Sequence, residues 1–381
     1  MQKWVNQPEM CKRCVLTSSF PRITFDSEGI CSVCHEYDRD WNSWRSDLPK
    51  KRRFLEKICR EAKSKHKDFD AVIPLSGGKD SSYVLYVAAK ELGLKCLAYT
   101  VNFGYLSDFA KSNIDGMCKK LGIEHVYYNF DPNLANRLLA LFVKKTGSFC
   151  SVCSKLIAMT TSRVAEMYRV PLIITGTSTR TEMPLTPEMF TFTGSNAFVR
   201  NVLKGEPLAS ECERIFFGSS TRRKFGYLLF LLSGKKRLSS YGWFNLADYW
   251  DWTYDTMYDT IGRELDWKAP SEAEHMDCII HPVSRYIHNR RFPGLEVERL
   301  SLARLVMAGQ ITREEALRRL EAEPRRHDAE AVMRMFLKNL GMEREEFDKC
   351  VDLGPRHLQF NPKPSRIMRL AEKVLSIQVH H

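Results

Sequence analysis

A doubly wound α/β fold, a parallel sheet with helices on both faces, is predicted by the order of residues 69–175. Two observations carry it. Short apolar runs of strand length, Asp70-Ala-Val-Ile-Pro-Leu75, Cys96-Leu-Ala-Tyr-Thr-Val101, His125-Val-Tyr-Tyr128 and Pro171-Leu-Ile-Ile-Thr175, alternate with stretches of helical apolar spacing. A Gly-Gly pair follows the first run at once and opens the first helical stretch, where such sheets bind ligands outside their carboxyl strand ends.

In chain order, residues 1–40 hold four cysteines as two matched pairs, Cys11-Lys-Arg-Cys14 and Cys31-Ser-Val-Cys34. A segment this small buries no core of its own, whereas four thiolates around one zinc supply folding free energy directly. Ile23-Thr-Phe-Asp26 and the following Glu28-Gly29 read as strand and turn, so a two-knuckle zinc ribbon is expected, its shell closed and without a catalytic role. Residues 41–68 read as a helix, from Phe54, Leu55, Ile58 and Ala62. After the first strand come a helix through Leu92, helices around Ile114–Leu121 and Leu134–Val143, and one at Lys155–Tyr168. Residues 184–270 are aromatic-rich without a clean period; Trp243, Tyr249, Trp250 and Trp252 read as core or pocket wall. Beyond Pro293 the chain turns helical, and Thr312 with Glu315 forms a capping-box pattern. The expected units are therefore a ribbon at 1–40, a nucleotide-binding domain at 41–183, an acceptor-binding extension at 184–292 and a helical region at 293–381.

The composition narrows the class. The 381 residues are 44% hydrophobic and 27% charged, with a formal charge of +12, which excludes a disulfide-stapled peptide and an acidic disordered chain. Basic residues fall in short groups, Lys50–Arg53, Arg222–Lys224, Lys235–Arg237 and Arg290–Arg291, the pattern of solvated faces and phosphate neutralisation rather than of a polynucleotide groove. The apolar run Tyr227–Leu232 falls far short of the ~20 residues that span a bilayer. The first residues, MQKWVNQPEMCKRC, lack the apolar core of a secretory signal, so a cytoplasmic location is expected, with twelve cysteines either reduced or metal-bound.

The strongest chemical signal is Pro74-Leu-Ser-Gly-Gly-Lys-Asp-Ser-Ser82 at the strand-to-helix passage. Gly77 and Gly78 permit close backbone approach to an anion, and the helix start adds partial positive charge. Ser76, Ser81 and Ser82 donate to phosphate oxygens, Lys79 supplies a full charge, and Asp80 suits a divalent cation. The pattern is not that of a Walker cradle.

Ser76-Gly-Gly-Lys-Asp80 after a buried strand resembles the pyrophosphate loop of PP-loop ATP pyrophosphatases, whose fold is of the adenine nucleotide alpha hydrolase type. The resemblance implies cleavage of ATP between its α and β phosphates with Mg2+. It also implies nucleotide contacts from Tyr99, Thr100, Val101 and Asn102, and from Gly176 and Thr177 at the end of the fourth strand. Within that superfamily the layout is similar to the N-acetyl sugar amidotransferases of lipopolysaccharide and nonulosonic acid assembly. The matching parts are the four-cysteine segment with Phe25-Asp-Ser-Glu-Gly-Ile-Cys31, the loop, Cys150-Ser-Val-Cys153 ahead of Val170-Pro-Leu-Ile-Ile-Thr-Gly176, Asp277-Cys278 with Tyr286, and Gly309-Gln-Ile-Thr-Arg-Glu-Glu-Ala316. A second resemblance is to zinc-ribbon tRNA thiolases that carry an iron–sulfur cluster. Those usually show Gly-His-Asn and Asp-Asp after the fourth strand, where this chain reads Gly176-Thr-Ser-Thr-Arg180.

The chemistry follows from the electrophile. An amide carbonyl is deactivated by resonance and its oxygen leaves badly; transfer of AMP to that oxygen makes an imidate that a nitrogen or sulfur nucleophile attacks. Amidotransfer leads, with a sugar or other amide-bearing acceptor held by the region Cys278–Arg291 and ammonia from a separate glutaminase, since this chain shows no glutaminase domain. Cys150, Cys153 and Cys278 leave three readings open: a [4Fe-4S] cluster with one open iron, a zinc completed by His275 or His281, or buried thiols. The first is the sulfur-insertion alternative, on a tRNA base or a small molecule. Cys59, Cys96, Cys118, Cys212 and Cys350 are isolated and read as core or surface thiols, with Cys212 a further candidate third ligand. A noncatalytic zinc- and nucleotide-binding adaptor is the alternative of another class.

Overall fold

A computed structural model describes residues 9–63, 68–178, 196–217, 242–268, 277–293, 296–321, 327–354 and 356–360. The basic groups at 222–224 and 235–237, the apolar run 227–232, Thr179, Arg180 and His275 lie outside the described residues.

The long helix α1 (Ser32–Lys63) starts inside the second cysteine pair and runs across residue 40. Then follow β1 (Ala71–Pro74), α2 (Lys79–Tyr86) with a wider π turn at 87–91, β2 (Cys96–Asn102), α3 (Asp108–Leu121), β3 (Glu124–Asn129), α4 (Pro132–Thr146), α5 (Cys150–Met167) and β4 (Leu172–Thr175). Helix α6 (Asn196–Leu203) and the single turn α7 (Ala209–Cys212) precede β5 (Gly242–Asn245). Among the described residues six α-helices follow, α8 (Tyr254–Leu265), α9 (His281–Arg291), α10 (Val297–Met307), α11 (Arg313–Glu321), α12 (His327–Leu340) and α13 (Arg344–Asp352), and then a 3-10 turn (Arg356–Phe360).

Among the described residues all five strands are parallel, in the order β3-β2-β1-β4-β5. The doubly wound expectation holds, with one strand added. β5 was not legible, being four residues long inside an aromatic stretch with no alternation. Period-2 alternation sorts β1 between two faces: Ala71 and Ile73 pack with α1, α2 and α8, whereas Val72 packs with Val164 and Ala165 of α5. Each fully buried aliphatic side chain of this kind stabilises the fold by about 1.5–3 kcal/mol. A second core joins α4, α5 and α6 to α9, α12 and α13. Trp250 and Trp252 are core, whereas Trp243 stands 46% exposed. Cys59, Cys96, Cys118 and Cys212 are buried thiols and Cys350 is half-buried.

The cysteine segment has no core to itself. Cys11, Val15, Leu16 and Phe20 pack against Leu302, Leu305 and Met307 of α10 and Ala316 of α11. Its expected strand at 23–26 reduces to a single bridge, Phe25 to Cys31, and a second bridge joins Met10 to Thr17. Thr312 caps α11 as its pattern predicts, its hydroxyl accepting from the Glu315 N–H at 3.1 Å.

Candidate phosphate loop and four-cysteine centre

The strand order reverses between β1 and β4, so the crevice at their carboxyl ends is the topological switch point. Residues 75–78 leave β1 there and residues 176–178 leave β4. Gly176 lies against the first turns of α2: a Cβ there would stand 3.1 Å from the Asp80 carbonyl oxygen and from the Val84 side chain.

The loop is shaped from both sides. Gly77 has φ +82°, and a Cβ on it would lie 2.5 Å from the Ala110 carbonyl of α3, so only glycine fits. Gly78 is the N-cap of α2 in extended geometry, φ −77° and ψ 165°. The Ser76 N–H donates to Ser81 Oγ (3.1 Å), the Gly78 N–H reaches Ser76 Oγ (3.3 Å), and the Ser81 and Ser82 hydroxyls donate to the Gly78 carbonyl at 3.2 and 2.7 Å. Serine hydroxyls and loop amides are thus gathered at a helix start, bonded to one another and to the Gly78 carbonyl, and these donors are the ones an anion arriving there would take over.

Lys79 and Asp80 take up the charge. Lys79 is 4% exposed; its ammonium donates to Asp80 Oδ2 at 2.9 Å and lies 4.5 Å from the Tyr254 ring centroid. Burial pulls its pKa down, but Asp80 and Tyr254 outweigh that, and the ammonium is held above its ordinary value. Asp80 Oδ1 is buried without a hydrogen-bond partner, so the carboxylate keeps a lone pair suited to Mg2+.

The other predicted contacts are placed as follows. Tyr99 is buried, its hydroxyl hydrogen-bonded to Thr161 of α5, so its side chain belongs to the core and only its backbone serves the loop, the carbonyl accepting from the Leu75 N–H at 2.8 Å. The Thr100 hydroxyl donates to the Leu75 carbonyl (2.6 Å) and accepts from His125 Nε2 (2.8 Å), a brace beneath the loop. Val101 packs on the second core, and Asn102 ties Asn129 to the turn at Gly104. Thr177 is exposed.

Three loop neighbours are not assigned to the loop by the sequence, although one of them, Asp277, belongs to a pair singled out there. Trp267 Nε1–H donates to the Gly77 carbonyl at 2.9 Å, and Asn113 of α3 makes a longer 3.5 Å contact to the same oxygen. Asp277, from the Asp277-Cys278 pair, comes within 3.5 Å of where a Gly78 Cβ would be, because residues 277–279 pair with the loop after β2: the Ser107 N–H donates to Asp277 and the Ile279 N–H to Tyr105.

The region Cys278–Arg291 is largely committed to packing. The Tyr286 hydroxyl donates to Asp348 (2.7 Å), Arg290 pairs with Asp352, and Arg291 donates to the Thr146 carbonyl (2.8 Å) at the end of α4. Cys150 Sγ lies 3.0 Å from Ser284 Oγ; Cys153 and Cys278 share its core. Burial raises all three thiols, Cys278 to about 12.

Cys11, Cys14, Cys31 and Cys34 are all fully buried, and their sulfurs lie within 4.8 Å of one another. The separations of 3.9 Å (Cys11–Cys34) and 3.8 Å (Cys14–Cys31) match the edge of a tetrahedron with bonds of ~2.3 Å, about 3.8 Å. Backbone N–H groups of Cys14, Leu16 and Cys31 point at the sulfurs at 3.3–3.4 Å, as thiolates require. The donor set fits a tetrahedral zinc or iron ion. Among the described residues no other group of three or more potential ligands lies within this spacing, so Cys150, Cys153 and Cys278 are not packed around a single ion.

Comparison with known proteins adds a regional match. The Methanocaldococcus jannaschii protein MJ1599 is 26% identical over 171 residues, 44% of this chain and 58% of the relative. MJ1016 of the same organism is 28% identical over 131 residues, 32% of this chain and 43% of the relative. The chain thus spans about half the length of these curated relatives. Among solved structures, the U34-tRNA thiolase NcsA of Methanococcus maripaludis, described with its [4Fe-4S] cluster, has a TM-score of 0.32 at 15% identity, covering 83% of this chain and 89% of that one. The NH3-dependent NAD synthetase of Campylobacter jejuni has 0.28 at 12%, covering 61% and 99%, and the NMN synthetase of Francisella tularensis 0.29 at 16%, covering 60% and 99%. No helix among the described residues is long and apolar enough to cross a membrane. Residues 258–374 match the family model described as "LPS biosynthesis protein WbpG-like, C-terminal domain", so the chain carries a WbpG-like C-terminal domain behind its parallel sheet.

Proposed function

We propose that the chain is an ATP-dependent, AMP-forming enzyme that adenylates an amide carbonyl oxygen, the N-acetyl group of a surface-polysaccharide sugar, and replaces AMP with ammonia. The observation that carries this reading is the Ser76–Ser82 loop at the switch point of the sheet, with convergent amides and hydroxyls beside Lys79 and Asp80. The WbpG-like domain supports the lipopolysaccharide context.

In this mechanism the amides of Gly77 and Gly78 and the hydroxyls of Ser76, Ser81 and Ser82 bind the β and γ phosphates. Lys79 offsets the negative charge that grows on the departing pyrophosphate. Asp80 would hold Mg2+, which supplies further neutralisation when bound. The carbonyl oxygen attacks the α phosphorus and the bond to the β phosphate breaks, giving pyrophosphate and the imidate-AMP. Ammonia adds to the imidate carbon, AMP leaves with its bonding pair, and loss of a proton gives the amidine. Ammonia comes from a separate glutaminase. The cysteine quartet holds zinc as a structural ion, and the mechanism takes no step through it.

Product analysis tests the reading. ATP incubated with an acetamido sugar and ammonia yields AMP and pyrophosphate in equal amounts, and Lys79→Ala abolishes both; unchanged turnover in that variant, or release of ADP and phosphate, sinks it. No turnover at all with intact nucleotide binding would favour the adaptor reading.

Sulfur insertion is the second reading, supported by Cys150, Cys153 and Cys278 sharing one core. Anaerobic purification with iron and sulfide analysis separates the two: about four of each per chain supports it, and a colourless protein containing only zinc removes it.

A further inference from the structure

We propose that Trp267, from the WbpG-like segment, is the positioning residue that sets the Gly77–Gly78 peptide for phosphate. The inference rests on the reading of Ser76–Ser82 as a phosphate cradle. A peptide between two glycines flips at little steric cost, because neither residue has a Cβ to oppose either orientation. In a trans peptide the N–H points opposite the C=O, so whatever holds the Gly77 carbonyl also aims the Gly78 N–H. The indole holds that carbonyl at 2.9 Å, and the Gly78 N–H is then directed to the side of Ser76 Oγ, the side where the serine hydroxyls gather.

The indole is itself held by structure built for the purpose. Helix α8 ends at Leu265, and Asp266 adopts the left-handed conformation (φ +54°), which turns the chain so that the Trp267 N–H returns to the Ile261 carbonyl at 3.2 Å. Asn113 then clasps the next residue from both sides: its Oδ1 accepts from the Lys268 N–H (3.1 Å) and its Nδ2 donates to the Lys268 carbonyl (3.2 Å). The indole is 7% exposed and packs 5.7 Å from the Tyr258 ring. Trp267 touches no phosphate; it acts through the Gly77 carbonyl.

Calorimetric titration with inorganic pyrophosphate and with AMP tests the role. Trp267→Phe keeps the packing ring and removes the N–H donor. Pyrophosphate affinity is expected to fall roughly tenfold with AMP affinity unchanged, since the buried Gly77 carbonyl loses its shorter hydrogen bond and keeps only the 3.5 Å contact from Asn113. Asn113→Ala, which loosens the clasp on Lys268 and also removes the longer 3.5 Å contact to the same carbonyl, is expected to give a smaller loss in the same direction. Equal losses for pyrophosphate and AMP would mark Trp267 as merely structural and overturn the inference, as would no loss in either variant. If Trp267→Phe does not fold, Asn113→Ala tests the hold on the Gly77 carbonyl with the same two ligands: a loss for pyrophosphate alone supports the inference, and no loss or an equal loss overturns it. Failure of the wild-type protein to bind pyrophosphate would overturn the cradle itself, a different result from unchanged binding in the variants.

Discussion

Substituting alanine at Gly77 and at Gly78 separates the two roles assigned to adjacent residues. At Gly77 an alanine must adopt φ +82°, which costs an L-residue about 1–2 kcal/mol. Its Cβ would also stand 2.5 Å from the carbonyl oxygen, 2.9 Å from Cα and 3.0 Å from the carbonyl carbon of Ala110. These are backbone atoms of α3, so the helix or the loop has to move, at a further cost of roughly 1–3 kcal/mol. Alanine restricts the unfolded chain and returns about 0.4–1 kcal/mol. The net expectation for Gly77→Ala is a destabilisation of about 1–5 kcal/mol. Gly78 differs: φ −77° suits any residue, and the nearest atoms, Ser76 Oγ at 3.4 Å and Asp277 Oδ2 at 3.5 Å, are at ordinary contact. Gly78→Ala is therefore expected to stay within about 0.5 kcal/mol of wild type while its methyl group, beside Ser76 Oγ, crowds the approach to the Gly78 N–H and weakens pyrophosphate binding. Urea unfolding followed by circular dichroism, with pyrophosphate titration alongside, measures both. A Gly77→Ala protein as stable as wild type, or a Gly78→Ala protein equally destabilised, would refute the loop geometry.

Four more outcomes are expected. The purified protein carries one tightly held zinc or iron ion per chain, and Cys11→Ser lowers both metal content and melting temperature; an unchanged metal ratio would contradict the quartet. Arg313→Ala, which removes hydrogen bonds to the Cys11 and Cys14 carbonyls at 3.2 and 3.1 Å, costs about 1–3 kcal/mol by urea unfolding and speeds metal loss to a chelator. Thr312→Ala costs about 1 kcal/mol in the same assay through loss of the α11 cap. Cys278, pushed up to about 12 by burial, holds its proton at pH 8, so iodoacetamide labels it slowly there and faster as pH rises toward 12; mass spectrometry reads the site, and fast labelling at pH 8 argues for a thiolate.

Much of the frame is legible along the chain because it is written in local signals. The first four strands are short apolar runs, the glycine turn follows one of them, and two matched cysteine pairs declare a tetrahedral site whose sulfurs the fold brings to 3.8–3.9 Å. What escapes is set by distant partners. β5 joins the sheet only through its pairing with β4, without an alternating pattern of its own. Tyr99 sits in a strand expected to face nucleotide, but strand alternation turns its ring to the core beside Thr161. The cysteine segment folds on α10 and α11, almost three hundred residues away, through Arg299 donating to Val15 and Arg313 to Cys11 and Cys14. Trp267 and Asn113 reach the loop through single polar atoms, which no periodicity announces.

The most direct test is a crystal structure with an ATP analogue whose α–β bridge is a methylene group. The account predicts the β and γ phosphates against the backbone of Gly77 and Gly78, with Lys79 and the Ser76 and Ser81 hydroxyls in reach. An ordered analogue bound elsewhere, with that turn bare, would contradict it.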